Sequence, residues 1–455
     1  MTSAFSEARR DHSNMSALDR LAGAVASAAV DGPTIRTGGL VQSVAAGTYS
    51  VSGLSKFARL GDQVFFDTGE QTAFGEVIRI DELVLVKSFQ TRMDVGLGTR
   101  AWLAGPLRIA PDKAWQGRVI NSLAQPLDGK GKLPGGGVLI ATDTDPPPAM
   151  SRERVSEAIK TGVLAIDVFT PLCAGQRIGI FAGSGVGKST LLGMLAQAKG
   201  FDIVVIALVG ERGREVREFL EDSLALGAER AIIVVATGDE SPMMRKQAPL
   251  TAMTIAEYFR NDGASVLLIV DSVTRFAHAS RDIALAAGEP PVARGYAPSV
   301  FSDLPKLLER AGPGPSGKGS ITGIFSVLVD GDDHNDPVAD SIRGTLDGHI
   351  VLDRSIADEG RYPAINILAS ISRLSQQVWT QEQRELVRKL RAIVARYEDT
   401  RDLRSMGGYT PGSDAELDQA VKMVPKLYDA LRQSPGQPLS SEAFRDLAEK
   451  LREPG

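Results

Sequence analysis

A single cysteine, Cys173, stands in a chain of 455 residues, so no intrachain disulfide can form. That scarcity favours a reducing compartment. Cys173 follows Pro171-Leu172 in an apolar segment and reads as a buried, unreactive thiol. The four histidines, His12, His278, His334 and His349, are scattered, with no Cys or His at zinc spacing. No apolar run approaches the ~18 residues that suggest a membrane span; the longest, 203–209 and 266–270, read as buried strands. The opening MTSAFSEARRDHSNMS has no apolar stretch of the kind a secretory signal needs. A basic excess is also missing. The net charge of −5 leaves no electrostatic footprint for nucleic acid and no polybasic segment for a membrane surface. No nucleic-acid partner is therefore expected, and membrane contact at most peripheral. A Gly-x-Ser-x-Gly elbow is absent as well.

What is present is the composition of an ordinary globular protein, 43% apolar and 24% charged, in a chain too long for one core. Few aromatics (5%) and 47 glycines imply many turns and close backbone approaches. Residues 16–30 carry Leu18, Leu21, Ala22, Val25 and Ala29 at helical spacing. They are either a helix packed on its own domain or an amphipathic docking segment for a partner. From about 34 to 105, short alternating stretches such as LVQSV, QVFFD and LVLVKSF are broken by glycine, which predicts a small β-barrel. Residues 125–149 are rich in Gly and Pro and read as a linker.

Between 150 and 375, apolar runs alternate with helical patterns. Strands are expected at 177–182, 203–209, 231–236, 265–270, 322–329 and 365–369, with helices such as 188–198 and 249–261 between them. Such alternation predicts an α/β domain with a mostly parallel sheet. After Arg373 the pattern turns helical over 380–398, 414–433 and 440–452. The expected division is 1–30, a docking segment; 31–110, the barrel; 111–375, a nucleotide-binding domain; and 376–455, a small helical domain.

The central chemical signal is RIGIFAGSGVGKSTLLGMLAQ, an apolar strand, a Gly-rich turn and a helix. A triphosphate needs this order. Glycines let backbone N–H groups turn around a phosphate, and the helix N-terminus adds a favourable dipole. The nucleotide-binding residues are Ala182, Gly183, Ser184, Gly185, Val186, Gly187, Lys188, Ser189 and Thr190. Lys188 would reach the β- and γ-phosphates, and Ser189 would place its hydroxyl on Mg²⁺. Ala182 stands where Gly is usual. GPGPSGK at 312–318 has the same glycine spacing, but Gly319 follows it, and then a strand; it reads as a flexible loop.

Asp271 ends the apolar run VLLIV, where a phosphate-loop enzyme needs a carboxylate for a Mg²⁺-bound water. Glu211 lies just beyond IVVIALVG, on the side of the sheet that carries nucleotide, and could orient the attacking water. From spacing alone a solvated loop acid explains Glu211 equally well.

Taken together these residues resemble the hexameric rotary-type ATPases, which include the subunits of ATP synthases and the ATPases of type III export. PAINILASIS at 363–372 fits that family's signature. Within it, the likeness is greatest to the flagellum-specific export ATPases. It is carried by DESPMMRKQAPLTAMTIAEYFRNDG, GEPPVARGYAPSVFSDLPKLLERAG, VLVDGDDHNDPVADSIRGTLDGHIVLDR and YTPGSDAELDQAV, with Ala297 and Asp330 as small departures.

The resemblance implies an N-terminal barrel, a RecA-like P-loop domain and a helical tail. It implies ATP hydrolysis with Mg²⁺, with Glu211 as the catalytic glutamate, Arg212 on the γ-phosphate, Tyr362 against the adenine and Arg373 as an arginine finger acting on a neighbouring subunit. It further implies a homohexamer and a cytoplasmic place at the inner-membrane export apparatus. Its partners would be a regulator docking on the N-terminal segment, a central stalk protein, the export gate and chaperone–substrate complexes. Two other readings stay open: the ATPase of a virulence-type injectisome, and a non-catalytic nucleotide-binding subunit. An RNA-translocating hexamer is disfavoured by the acidic balance and by the lack of an aromatic and basic motif in the barrel.

Overall fold

The computed structural model describes residues 36–68, 72–155, 157–223, 228–329, 336–437, 440 and 442–452. The segment 1–30, with its helical spacing, lies outside them. Six antiparallel strands, β1 (Gly38–Ala45), β2 (Thr48–Ser52), β3 (Asp62–Asp67), β4 (Thr72–Ile80), β5 (Val84–Ser88) and β6 (Arg100–Pro106), close into a barrel in the order β1-β2-β5-β4-β3-β6. Its interior is filled by alternate residues such as Val51, Val64, Val84 and Val86, all fully buried. Closure leaves no unpaired strand edge.

The second sheet is built from β7 (Val119–Asn121), β8 (Arg177–Ala182), β9 (Ile203–Glu211), β10 (Ala231–Thr237), β11 (Ser265–Asp271), β12 (Ser320–Leu328), β13 (Gly348–Leu352) and β14 (Ile371–Ser372). Its order is β14-β13-β8-β12-β11-β9-β10-β7, and every pair along that order is parallel except β13–β14; the short Gly312–Pro313 adds antiparallel to β12. Strands buried on both faces read as unbroken apolar runs, as Ile203–Val209 does.

On one face pack α1 (Lys188–Ala196), α2 (Gly213–Glu218) and, from the tail, α8 (Gln381–Asp399) and α10 (Ala415–Ala430). On the other face lie α3 (Pro242–Asn261), α4 (Val273–Ala286), α5 (Pro298–Glu309) and α6 (Pro337–Thr345). The tail also contains α9 (Arg401–Ser405) and α11 (Ala443–Arg452), and α7 (Arg354–Asp358) precedes it. The barrel meets the α/β unit through Phe89, Met243, Met244 and Ile283. Among the described residues no helix is long and apolar enough to cross a membrane.

Three expectations need correction. Residues 365–369 form no strand; only an isolated bridge joins Ile365 to Leu352. The apolar Ile365 and Ile367 are buried, but the Asn366 side chain takes the amides of Leu368 and Ala369 and turns the chain. The missing strand is β13, which the sequence scan passed over. The 125–149 stretch is pinned rather than a free linker. Arg118 binds Asp128 at 2.7 Å, Trp115 Nε1 donates to the Pro134 carbonyl, and Ile140–Ala141 pairs with Arg108–Ile109. Finally, 312–318 is no flexible loop but the turn of a hairpin in which Gly312–Pro313 pairs back on β12.

Candidate functional site

Parallel strands deliver their C-terminal ends to one edge of the sheet, and chemistry collects there. Register sets Ala182 of β8 beside Leu328 of β12, and Leu208 of β9 beside Asp271 of β11. A cleft of about 350 Å³ opens above these ends. Its floor is the turn from Ala182 to Lys188. Gly185 and Gly187 adopt φ of +79° and +89°, a region an L side chain rarely enters. Gly187 caps α1 without any side-chain hydrogen bond. The first-turn amides of α1 therefore have no intrahelical partner and face the cleft as anion donors. Val186 is buried under the turn and fixes it to the core, while Ser184, Ser189 and Thr190 are exposed.

Lys188 reaches across the cleft. Its Nζ lies 3.3 Å from Glu211 Oε1 and also pairs with Asp271 Oδ1. Burial alone would push this ammonium down, but the Asp271 and Glu211 carboxylates outweigh it and hold the group above its ordinary value. Glu211 is shifted upward by burial. Lys188 opposes that shift, and the Asp271 charge and the Glu215 carboxyl add to it. Asp271 is buried, and the Ser326 hydroxyl donates to its Oδ1. The lysine is thus paired with both acids across the cleft.

Of the residues singled out in the sequence, the phosphate turn, Lys188, Ser189, Thr190, Glu211, Arg212 and Asp271 converge on this cleft. The Arg212 side chain is 86% exposed at the mouth, paired with Glu215 at 3.2 Å. Tyr362 lies beside the turn; a Cβ on Gly187 would come within 3.3 Å of its ring. Arg373 is not brought to this cleft. It follows β14 at the sheet edge, exposed. Cys173 is buried, and burial pushes its thiol up to about 11, as expected of an unreactive group.

Three residues were missed. Glu215 and Arg275 both line the cleft, and the Arg275 Nε is buried without a hydrogen-bond partner. Each lies four residues after a carboxylate already identified, Glu211 or Asp271, which was the available signal. Arg354 donates from Nη2 to the Ser184 carbonyl at 3.0 Å, a tie no local pattern discloses.

The donor set suits Mg²⁺. A serine hydroxyl and a buried carboxylate are hard oxygen ligands, and among the described residues no cluster of three or more His, Cys, Asp or Glu offers a dedicated cage. Such a site fits an ion that arrives with substrate phosphates.

Comparison with known proteins bears on the same residues. The profile of the "ATP synthase alpha/beta family, nucleotide-binding domain" matches residues 162–372, and that of the "T3SS EscN ATPase C-terminal domain" matches 379–451. The chain is 57% identical over 447 residues to the flagellum-specific ATP synthase of Rhizobium meliloti, spanning 98% of this chain and 96% of that protein. It is similar to the assembled ATPase EscN of the enteropathogenic E. coli type III secretion system, at a TM-score of 0.83 and 40% identity, with 91% of this chain and 100% of that one covered. EscN in complex with its central stalk EscO gives a TM-score of 0.81 at 39% identity, covering 91% of this chain and 100% of that one.

Proposed function

The chain belongs to the flagellum-specific ATP synthase family, and from that premise we propose that it is the ATPase of a flagellar type III export system. ATP hydrolysis would energise the release or unfolding of export substrates at the gate. The observation that carries this reading is Lys188, held by two carboxylates in a cleft floored by a Gly-rich turn and a helix N-terminus. The arrangement is built to exchange those carboxylates for phosphate.

On binding, the amides of 183–188 surround the β-phosphate and Lys188 shifts to the β- and γ-oxygens. Ser189 and Asp271 would hold Mg²⁺, which would supply charge neutralisation on the phosphate oxygens. Released from Lys188, Glu211 orients the attacking water, a role that its position at the end of β9 supports. Arg212 and Arg275 offset the charge that builds on the transferred group. The base rests on Tyr362, beside Gly187. Val186, buried beneath the turn, keeps the cradle in place through the cycle.

Arg373 stands away from its own chain's cleft, which supports action in trans as an arginine finger on the nucleotide of a neighbouring copy. The working form is then a homohexameric ring. A central stalk protein at the helical tail is supported by the EscN–EscO likeness. A regulator at the N-terminal segment, the export gate and chaperone–substrate complexes complete the partners, and the ring sits peripherally at the cytoplasmic face of the inner membrane. The greater identity to a flagellar protein, 57% against 40%, favours this setting over an injectisome.

Mixing Arg373→Ala with Lys188→Ala subunits tests the assembly. Each variant alone is inactive, and mixed rings regain partial ATPase activity at interfaces that receive both intact halves. Proven mixed rings with no recovery would remove Arg373 from the mechanism.

A further inference from the structure

Tyr362 is 43% exposed, and its turn is held by what surrounds it. Its carbonyl accepts a hydrogen bond from the Gln433 amide at 3.0 Å. Gln433 is itself buried, accepting from Leu164 N at 2.7 Å and donating to the Gly162 carbonyl at 2.9 Å. The adjacent Arg361 is only 14% exposed, and its guanidinium lies 3.8 Å from the centre of the Tyr428 ring on α10. Arg361 Nε donates to Glu359 Oε2 at 2.8 Å, while Glu359 Oε1 takes Arg401 of α9, also at 2.8 Å. The Tyr428 hydroxyl donates to Glu398 on α8. Three tail helices therefore grip the turn that presents Tyr362, and a cavity of about 250 Å³ opens beside it.

We propose that Arg361 is a positioning residue for nucleobase binding. By stacking on Tyr428 and bridging Glu359, it clamps the Tyr362 turn to the helical domain. Affinity for the nucleoside half of ATP depends on this clamp; triphosphate binding and the chemical step do not. The inference rests on the reading of Tyr362 as the base platform. A planar guanidinium serves here where an ammonium would not, because it stacks on the ring and donates to a carboxylate at once.

The test compares ATP with inorganic tripolyphosphate, which lacks the base, by calorimetry on the full chain, together with steady-state hydrolysis. Arg361→Gln should weaken ATP about five- to tenfold, the loss of one desolvated stacking contact. KM should rise with kcat within about twofold, and tripolyphosphate affinity should stay unchanged. Arg361→Lys should not restore ATP affinity. Tyr428→Leu, which keeps the arginine, should reproduce the effect and serves if Arg361→Gln fails to fold. The double variant should be no worse than either single one. Unchanged ATP affinity in both Arg361→Gln and Tyr428→Leu, beside a loss in Tyr362→Ala, overturns the clamp alone. Unchanged affinity in Tyr362→Ala overturns the platform reading, and the clamp with it. Equal loss for tripolyphosphate, or additive losses in the double variant, also refutes the proposal.

Discussion

Replacing Glu211 by Gln separates binding from chemistry. The carboxylate is one of two that hold Lys188, at 3.3 Å, with 19% of its side chain exposed. A charge-assisted hydrogen bond of this kind contributes about 1.5–3 kcal/mol, less where solvent reaches it. ATP must displace it, so removing the charge makes displacement easier, and ATP affinity should hold or improve by up to about tenfold. Stability should change little, because burial already disfavours the charged form of Glu211. Turnover should fall by about 10²–10⁴, the range for a group that orients and activates a water. Calorimetry with ATP and a phosphate-release assay read the two effects separately. Turnover within tenfold of the unaltered protein, or affinity lost along with turnover, would refute the assignment.

Two further perturbations probe the cleft and its scaffold. In Gly187→Ala, the φ of +89° and a Cβ within 3.3 Å of the Tyr362 ring together strain the phosphate turn. At about 1–2 kcal/mol for the backbone alone, ATP affinity should drop about tenfold or more, and a Kd within threefold of the unaltered value would count against the geometry of the turn. Glu76, between barrel and α/β unit, is pushed up to about 7 by burial, with Lys246 opposing and Asp143 and Asp303 adding to the shift. A carboxyl raised in the folded state contributes most below its unfolded value and loses that contribution as pH rises through about 7. Glu76→Gln should therefore melt higher than the unaltered protein at pH 8, by a margin worth at most about 3 kcal/mol, and the margin should shrink as pH falls and vanish below about pH 4. A margin independent of pH would rule out that titration.

The phosphate turn was legible because its chemistry is local: the nine contiguous residues 182–190 carry the strand end, the glycines, the lysine and the helix start. The barrel was legible because alternation and glycine breaks are local too. Where the sequence misled, burial and backbone pairing parted company. Ile365 and Ile367 are apolar because they pack on the core, yet Asn366 satisfies their neighbours' amides and no strand forms. Gly348–Leu352 escaped notice as a strand because five residues carry too little period. Glu215, Arg275 and Arg354 reach the cleft or its phosphate turn only by convergence, and convergence is set by strand register. The pairing of Lys188 with both acids has the same origin, since β8, β9 and β11 are separated in sequence and joined through the sheet.

A structure of the assembled protein with Mg²⁺ and a non-hydrolysable ATP analogue tests the exchange at Lys188 most directly. Expected is Lys188 Nζ on the γ-phosphate, free of both carboxylates, with the amides of 183–188 around the β-phosphate and Glu211 facing the γ-phosphorus across a water. Lys188 still paired with Asp271 and Glu211, and nucleotide bound away from the 182–190 turn, would contradict ATP hydrolysis at this site.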